Sequence, residues 1–140
     1  MTSSRTLILI KPDGVRRGAV GDILGRLERK GYSLDALKVV PPNVEALREH
    51  YAEHADKPFF PGVIEYMGSG PIVAIVASGV GVIEGFRLLA GATMPSDALP
   101  GTIRGDYAQP PAGGAIENLV HGSDSVESAE REIGIWFPEL

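Results

Sequence analysis

The stretch Thr6-Leu-Ile-Leu-Ile10-Lys11-Pro12-Asp13-Gly14 joins a short apolar run to a lysine and three turn-forming residues. Such a run closed by such residues is typical of a buried strand that ends in a turn. Residues 34–40 are rich in leucine and valine and end at two prolines, and residues 72–77 form an unbroken apolar run. These segments predict three strands, and the third is expected to be buried on both faces of a sheet.

The segments between the predicted strands have apolar residues spaced as in helices. Apolar residues recur at intervals of three and four within residues 20–30, which predicts a helix that ends at Gly31. Asp124 followed by Glu127 resembles a capping box at the start of the last helix. The same spacing predicts further helices after Asn43, over 60–67, over 82–89 and over 126–136.

The predicted elements follow the order strand, helix, strand, two helices, strand, helix, long loop, short strand, helix. With the additional helices set aside, this is the βαββαβ order of the ferredoxin-like sandwich, an α/β (α+β) fold with a four-stranded antiparallel sheet. We expect helices to cover one face of that sheet. The long loop spans 91–115, which holds four prolines and five glycines. No repeat or low-complexity segment divides the chain, so residues 1–140 are expected to form a single domain.

Composition narrows the classes of function. The chain has 140 residues, 13 basic and 18 acidic side chains, and a net charge of −5 that argues against nucleic acid as its main ligand. It has no cysteine, which excludes thiol nucleophiles, disulfides and cysteine-based zinc sites. Its apolar runs are too short to span a bilayer, and its amino terminus lacks the features of a signal peptide. We therefore expect a soluble, cytoplasmic protein with no membrane segment.

His121 is the first candidate for chemistry, because it lies between a short strand and a helix start that hold it in place. Neutral imidazole is a good nucleophile towards phosphorus, and Ser123 could donate to phosphate oxygens. The alternative is a loop histidine with an ordinary hydrogen bond. Glu132, eleven residues later, could orient the imidazole or could be an exposed helix glutamate. The residues alone leave both pairs of alternatives open.

Cationic residues elsewhere suggest an anionic ligand. Lys11 stands at a strand end, where a lysine could contact phosphate. Arg87 and Arg104 lie on either side of the long loop's first part, and Thr93 lies inside it. Arginine presents forked donors that match phosphate oxygens. Taken singly, each of these residues could also be an ordinary surface side chain.

Aromatic and histidine side chains have alternative interpretations too. Tyr51 or Phe59 could offer a ring face to a nucleobase, although packing in the core is the alternative. His50 and His54 lie one helical turn apart, so they could form a metal pair. Because no third ligand is evident, we favour a solvated helix face for these two histidines.

Together these segments resemble one family, the nucleoside diphosphate kinases. The family's active-site signature is similar to Asn118-Leu-Val-His-Gly-Ser-Asp-Ser125. The resemblance runs from about Thr6 to Phe137, and the colinear order of its motifs makes it specific. Six further segments resemble the family in the same order: Lys11-Pro-Asp-Gly14, His50-Tyr51, Lys57-Pro-Phe-Phe60, Ser69-Gly-Pro71, Pro100-Gly-Thr-Ile-Arg-Gly-Asp106 and Glu127-Ser-Ala-Glu-Arg-Glu-Ile133.

The resemblance implies a role for each matching residue. It implies that His121 takes the γ-phosphoryl group of ATP or another nucleoside triphosphate and passes it to a nucleoside diphosphate in a ping-pong reaction. Mg²⁺ is the expected cofactor, held by nucleotide phosphates and water without a direct protein ligand, with Glu53 near by as an outer-shell acid. The implied positions are Glu132, Tyr51 and Ser123 around the imidazole, Lys11, Arg87, Thr93 and Arg104 on the phosphates, Asn118 and Lys11 on the ribose, and Phe59 and Val63 on the base.

Two features depart from the family pattern. Residues 107–117 are roughly four residues longer than expected, which indicates a loop insertion. Glu117 stands where an arginine is often expected.

We expect a homo-oligomer, with a hexamer favoured over a tetramer. A noncatalytic nucleotide-binding regulator on the same fold and a histidine phosphocarrier that docks on proteins remain alternative functions.

Overall fold

One four-stranded antiparallel sheet organises the computed structural model, which describes residues 2–140. The strands are β1 (Ser3–Ile10), β2 (Ser33–Val40), β3 (Ile72–Val80) and β4 (Val120–Gly122), in the spatial order β2-β3-β1-β4. The helices are α1 (Pro12–Arg16), α2 (Val20–Lys30), α3 (Val44–His50), α4 (Phe60–Met67), α5 (Val82–Ala90), α6 (Ile103–Tyr107) and α7 (Val126–Trp136). Setting aside α1, α3, α4, α6 and α7 leaves the βαββαβ order, so the predicted ferredoxin-like sheet is confirmed. Between residues 2 and 140, no helix is long and apolar enough to cross a membrane.

Helices cover both faces of the sheet, which corrects the expectation of one covered face. Ile8 and Ile10 of β1 pack with α2 and α5, whereas Leu7 and Leu9 pack with α3, α4 and α7. All four side chains are fully buried, since successive side chains of a strand lie on opposite faces. The second face is covered because the chain crosses it as helices between β2 and β3 and again after β4.

Most predicted elements are present. Helix α2 has the predicted bounds and ends at Gly31, whose φ of 96° lies in the left-handed region that favours glycine. Asn43 caps α3 as predicted, and its side chain accepts from the backbone N–H of Ala46 at 3.1 Å. Strand β3 continues beyond its apolar run to Val80 because it pairs with β1 along the whole length of that strand.

Three local predictions differ from the structure. The predicted turn at residues 11–14 is the start of helix α1, which has its proline in the first position. The loop over 91–115 contains the 3-10 helix Pro95–Asp97 as well as α6. The residue that caps α7 is Ser125 and not Asp124, because the Ser125 hydroxyl accepts a backbone N–H of the first turn at 3.1 Å.

Candidate active site

A cavity of about 820 Å³ lies where β4 meets α5, the 3-10 helix Ala52–His54 and the segment after α5. Most of the side chains selected from the sequence line this cavity: Lys11, Tyr51, Glu53, Arg87, Thr93, Arg104, Asn118, His121 and Glu132. Three others, Ser123, Phe59 and Val63, are not among the lining residues. The fold therefore gathers residues from both ends of the chain around one cavity.

His121 lies in the middle of β4, where it pairs with Leu9 of β1. Its neighbour Gly122 packs against the ring of Phe86, and a Cβ at that position would stand 2.5 Å from the ring. Packing against Phe86 therefore requires a glycine at this position. The strand pairing and the close contact together fix the backbone of His121 at the cavity wall.

Glu132 of α7 and His121 are joined by a hydrogen bond of 2.7 Å between Oε1 and Nε2. Burial raises the pKa of Glu132, but hydrogen bonds from His121 and Ser123 outweigh burial and hold the pKa below its usual value. The side chain is then a carboxylate, which can only accept, so the proton of neutral His121 lies on Nε2. Nδ1 keeps its lone pair and has no hydrogen-bond partner among residues 2–140.

Ser123 is fully buried behind the cavity wall. Its hydroxyl donates to Glu132 Oε1 at 2.7 Å and accepts from the backbone N–H of Leu7 at 3.1 Å. The serine is therefore linked to the imidazole through Glu132. It is not placed to donate to a bound phosphate, which corrects one interpretation of the sequence.

Lys11 and Asn118 form a second polar pair in the cavity. Lys11 Nζ donates to Asn118 Oδ1 at 2.7 Å, and Asn118 Nδ2 donates to the backbone carbonyl of Thr93 at 2.9 Å. Burial, together with the positive charge of Arg104, lowers the pKa of Lys11 to about 8. Asn118 is held from both sides, so its orientation is set before any ligand arrives.

Arg104 is buried and bonded to three backbone carbonyls. It donates to Asn118 O at 3.1 Å, to Val120 O at 2.7 Å and to Gly91 O at 2.9 Å. Burial and the nearby charge of Arg87 lower the pKa of Arg104 to about 10. Arg104 thus fixes the backbone on both sides of the cavity, whereas Arg87 is an exposed lining residue.

Leu119, between Asn118 and β4, has a φ of 67°, a left-handed conformation that is unusual for leucine. Asp13 of α1 stabilises it, because Asp13 Oδ2 accepts from the Leu119 N–H at 3.2 Å. Asp13 Oδ1 accepts from the hydroxyl of Tyr66 in α4. Asp13 is not among the site residues predicted from the sequence, although it belongs to the motif Lys11-Pro-Asp-Gly14.

His50 is the second residue whose position was not foreseen. The expected solvated helix face is wrong for this histidine, since only 4% of its surface is exposed. Its ring meets the ring of His121 edge to face, with centroids 4.6 Å apart. His50 Nδ1 accepts from the indole N–H of Trp136 at 3.0 Å. No local pattern could reveal this contact, because 86 residues separate the two partners.

Residues 4–140 match the family model for nucleoside diphosphate kinase. The chain belongs to the nucleoside diphosphate kinase family. It is 57% identical to the nucleoside diphosphate kinase of Rhodococcus erythropolis, over 99% of this chain and 97% of the relative. It is 56% identical to that of Caldanaerobacter subterraneus subsp. tengcongensis, over 96% of this chain and 94% of the relative. A solved structure of the Halobacterium salinarum nucleoside diphosphate kinase in complex with CDP matches with a TM-score of 0.88 and 46% identity, over 97% of this chain and 88% of that one.

Membership of the nucleoside diphosphate kinase family confirms the predicted activity. The enzyme transfers the γ-phosphoryl group of a nucleoside triphosphate to a nucleoside diphosphate, by the family's ping-pong mechanism. It is therefore a nucleotide-binding phosphotransferase. The two alternatives left open by the sequence, a noncatalytic regulator and a protein-docking phosphocarrier, are not what the family does.

Phe59 and Val63, which were expected to contact the nucleobase, do not line the cavity. The Phe59 side chain is 52% exposed, and its ring lies 5.5 Å from the ring of His54, which does line the cavity. Val63 of α4 is half-buried and packs against the core on the α3, α4 and α7 side of the sheet. The exposed ring of Phe59 therefore lies beside the cavity, whereas Val63 packs against the core.

Proposed function

We propose that His121 is the residue that carries the phosphoryl group and that it reacts through Nδ1. The observation that carries this proposal is the 2.7 Å hydrogen bond between Nε2 and Glu132, since it leaves the lone pair on Nδ1. A histidine held by its backbone at a cavity wall, with one nitrogen engaged and the other free, is arranged for in-line attack on a phosphorus atom.

In the first half-reaction the Nδ1 lone pair forms a bond to the γ-phosphorus of the triphosphate. The bond between that phosphorus and the β–γ bridging oxygen breaks, and the nucleoside diphosphate leaves with the electron pair. The Nε2 proton stays in the hydrogen bond to Glu132, whose negative charge stabilises the imidazole ring as positive charge develops on it. In the second half-reaction a β-phosphate oxygen of the acceptor attacks the phosphohistidine, and Nδ1 recovers its lone pair.

We assign the nucleotide contacts to the side chains that line the cavity. Lys11, Arg87 and Arg104 would hold the phosphates and neutralise their charge, which phosphoryl transfer requires, and the Thr93 hydroxyl would donate to them. Asn118 with Lys11 would reach the ribose, and Tyr51 would lie beside the imidazole. Phe59 would stack on the base, with Val63 supporting it, and Ser123 would act through Glu132.

The donor set of the cavity suits Mg²⁺ only as part of the nucleotide. Among residues 2–140, the one group of three possible metal ligands is His50, His121 and Glu132. Two imidazoles are poor ligands for Mg²⁺, which prefers oxygen and keeps several waters. We propose that nucleotide phosphates hold the ion, with the exposed carboxylate of Glu53 at the cavity as an outer-shell contact. When bound, Mg²⁺ would neutralise phosphate charge.

We further propose that the enzyme uses phosphate donors and acceptors with any nucleobase, ATP among them, because a stacked ring face does not distinguish base edges.

We also propose a homo-oligomer, with a hexamer favoured over a tetramer, and a cytoplasmic location. Exposed Leu37 and Val39 on the edge strand β2 support self-association, since exposed apolar side chains on a sheet edge favour pairing. Light scattering at micromolar concentration measures the assembly, and a monomer would contradict it.

Labelling tests the assignment of His121. Incubation with γ-labelled ATP should transfer the label to the wild-type protein in a form that acid releases and alkali does not, as expected for a phosphoramidate. The His121→Ala variant should fold, lose transfer and take up no label. Activity retained in that variant, or label found on Ser123, would contradict the assignment.

A further inference from the structure

His50 is a buried histidine that the proposed phosphoryl transfer does not use. It is the last residue of α3, and Arg131 of α7 holds this helix end by donating to the carbonyls of Glu49 and His50, each at 3.2 Å. The His50 ring is in edge-to-face contact with the ring of His121. Any change in the charge or orientation of His50 would therefore act directly on the proposed nucleophile.

The hydrogen bond from Trp136 fixes the protonation of His50. An indole N–H can only donate, so Nδ1 of His50 must keep its lone pair and the single ring proton lies on Nε2. A second proton on Nδ1 would place two N–H groups face to face in a buried site. Burial acts in the same direction, and the pKa of His50 is lowered to about 3.

A metal site at His50, His121 and Glu132 is a different interpretation of the same cluster, whose ligand atoms lie within 4.8 Å of one another. A metal needs a lone pair from each ligand. Trp136 occupies the lone pair of His50 Nδ1, and Glu132 accepts the Nε2 proton of His121. His121 Nδ1 keeps a free lone pair but His50 offers none, so a metal held by all three residues would have to break the Trp136 hydrogen bond.

We propose that Trp136 and His50 form a neutral support for His121. In this arrangement His50 is a positioning residue that packs against the ring of His121. The hydrogen bond from Trp136 keeps His50 from becoming protonated beside Glu132. This inference rests on the proposed role of His121 as the phosphoryl carrier.

The charged and titratable groups around His50 determine what would happen without the indole donor. Glu132 of α7 attracts a proton to His50, whereas His121 of β4, Arg131 of α7 and Lys11 repel it. Tyr51, in ring contact with His50, has its pKa raised by burial and stays neutral. The positive charge of a protonated His50 would attract the Glu132 carboxylate and weaken its hydrogen bond to His121 Nε2. His121 would then be held less firmly by the partner that fixes its tautomer.

The test removes the indole donor together with part of a buried ring, which is why it needs a control that also trims the core. Trp136→Phe keeps an aromatic ring in the core, and Ile133→Val is the matched control because it trims the same buried face of α7 without touching a hydrogen bond. Ring ¹⁵N NMR should show wild-type His50 neutral, with the proton on Nε2, down to about pH 5. In Trp136→Phe, the pKa of His50 should rise above its wild-type value, while burial still holds it below the ordinary value of about 6.5.

The kinetic readout is the single-turnover rate of His121 phosphorylation by Mg-ATP, expressed as the ratio of variant to wild type at each pH. For Trp136→Phe this ratio should fall as the pH is lowered from about 8 to about 5, and the fall by pH 6 should be at most about fourfold, the value for an ordinary pKa of about 6.5. For Ile133→Val the ratio should not change with pH. In the double variant His50→Gln/Trp136→Phe the extra pH dependence should disappear, because the titrating group is gone.

A ratio for Trp136→Phe that does not change with pH would overturn the proposal, and so would a pH dependence that persists in the double variant. If Trp136→Phe does not fold, the wild-type NMR titration decides alone, and a His50 that titrates near pH 6.5 in that protein would overturn it. Failure of the proposed function is distinguishable, because the label would then not appear on wild-type His121.

Discussion

Burial, together with the charge of Arg104, lowers the pKa of Lys11 to about 8, and burial with the charge of Arg87 lowers that of Arg104 to about 10. Each residue in this site is therefore tuned by its neighbours as well as by its own chemistry. The cations repel one another in the free cavity, and an anionic ligand relieves that repulsion. Binding of phosphate and protonation of Lys11 should accordingly be coupled.

This coupling predicts how the KM for ATP depends on pH. Lys11 is charged below its pKa and loses its proton as the pH rises through about 8. Since the ligand binds best to the charged form, KM should rise by up to about tenfold per pH unit above that value. Steady-state kinetics between about pH 7 and pH 9 measure the change. Lys11→Arg should remove the pH dependence, because a guanidinium stays charged; a flat wild-type profile would contradict the argument.

Phe59 is the second residue that permits a quantitative test. Its exposed ring can stack on any base, and such stacking is worth about 1–3 kcal/mol, or roughly five- to 150-fold in Kd. Phe59→Ala should therefore weaken the binding of all nucleoside diphosphates by a similar factor, as measured by calorimetry. The variant should lose little stability. The neighbouring Phe60 is buried, so Phe60→Leu should lower stability and leave nucleotide affinity unchanged. Loss of affinity for a single base in Phe59→Ala would exclude stacking as the mode of recognition.

At the scale of elements, helices brace the short strand that carries His121. Strand β4 pairs with β1 over only three residues, so hydrogen bonds from its surroundings supply much of its support. Arg104 of α6 binds the carbonyls on either side of Leu119, and Asp13 of α1 binds the Leu119 N–H. Asp13 in turn accepts from Tyr66 of α4. Helices α1, α4 and α6 thus hold the left-handed residue just before the strand.

Removal of the Asp13 side chain should loosen the backbone at Leu119, just before β4. Asp13→Ala leaves the buried Leu119 N–H without a partner, and such a loss costs about 1–3 kcal/mol in the free energy of unfolding. Urea denaturation measures that loss, and the rate of His121 phosphorylation should fall with it because β4 is no longer held. Tyr66→Phe is the control: it removes the neighbouring bond only, so it should affect the phosphorylation rate much less. Equal rates in Asp13→Ala and the wild type would show that β4 needs no such brace.

At the scale of the whole molecule, the inserted loop lies apart from the main cavity. Residues 111–114 are exposed, and no residue of 108–117 lines the cavity around His121. The loop instead borders a second cavity of about 380 Å³ with Asp13 and Arg17. Long surface insertions add little closure entropy, about 0.6 kcal/mol per doubling of loop length. The fold can therefore accommodate the extra residues without moving Asn118 or His121.

Deletion of residues 111–114 should leave the phosphorylation of His121 by ATP nearly intact. The expected effects are a change in the KM for nucleotides, or in subunit assembly if the loop contacts a neighbouring chain. Single-turnover labelling and light scattering on the same preparation separate these effects. A folded deletion variant that forms no phosphohistidine would show that the loop belongs to the catalytic site.

Local signals in the sequence determined the elements, and tertiary packing determined how they are used. Apolar spacing and Gly31 were sufficient for α2, and the apolar run at 72–77 was sufficient for the core of β3. The sequence did not reveal that helices cover both faces of the sheet. Each helix has one apolar stripe, but the stripe does not state which face of the sheet it meets, since both faces of β1 are equally apolar.

The same division holds for the site. The motif around His121 and the cations of the cavity are visible in the sequence because their residue types suit phosphate chemistry wherever they lie. The buried contact between His50 and Trp136 is not visible, because it joins two helices 86 residues apart. The lowered pKa of Lys11 likewise depends on burial and on the nearby charge of Arg104. Residue type determines which reactions are available, whereas distance and burial, which only the folded chain sets, decide each group's charge and tautomer.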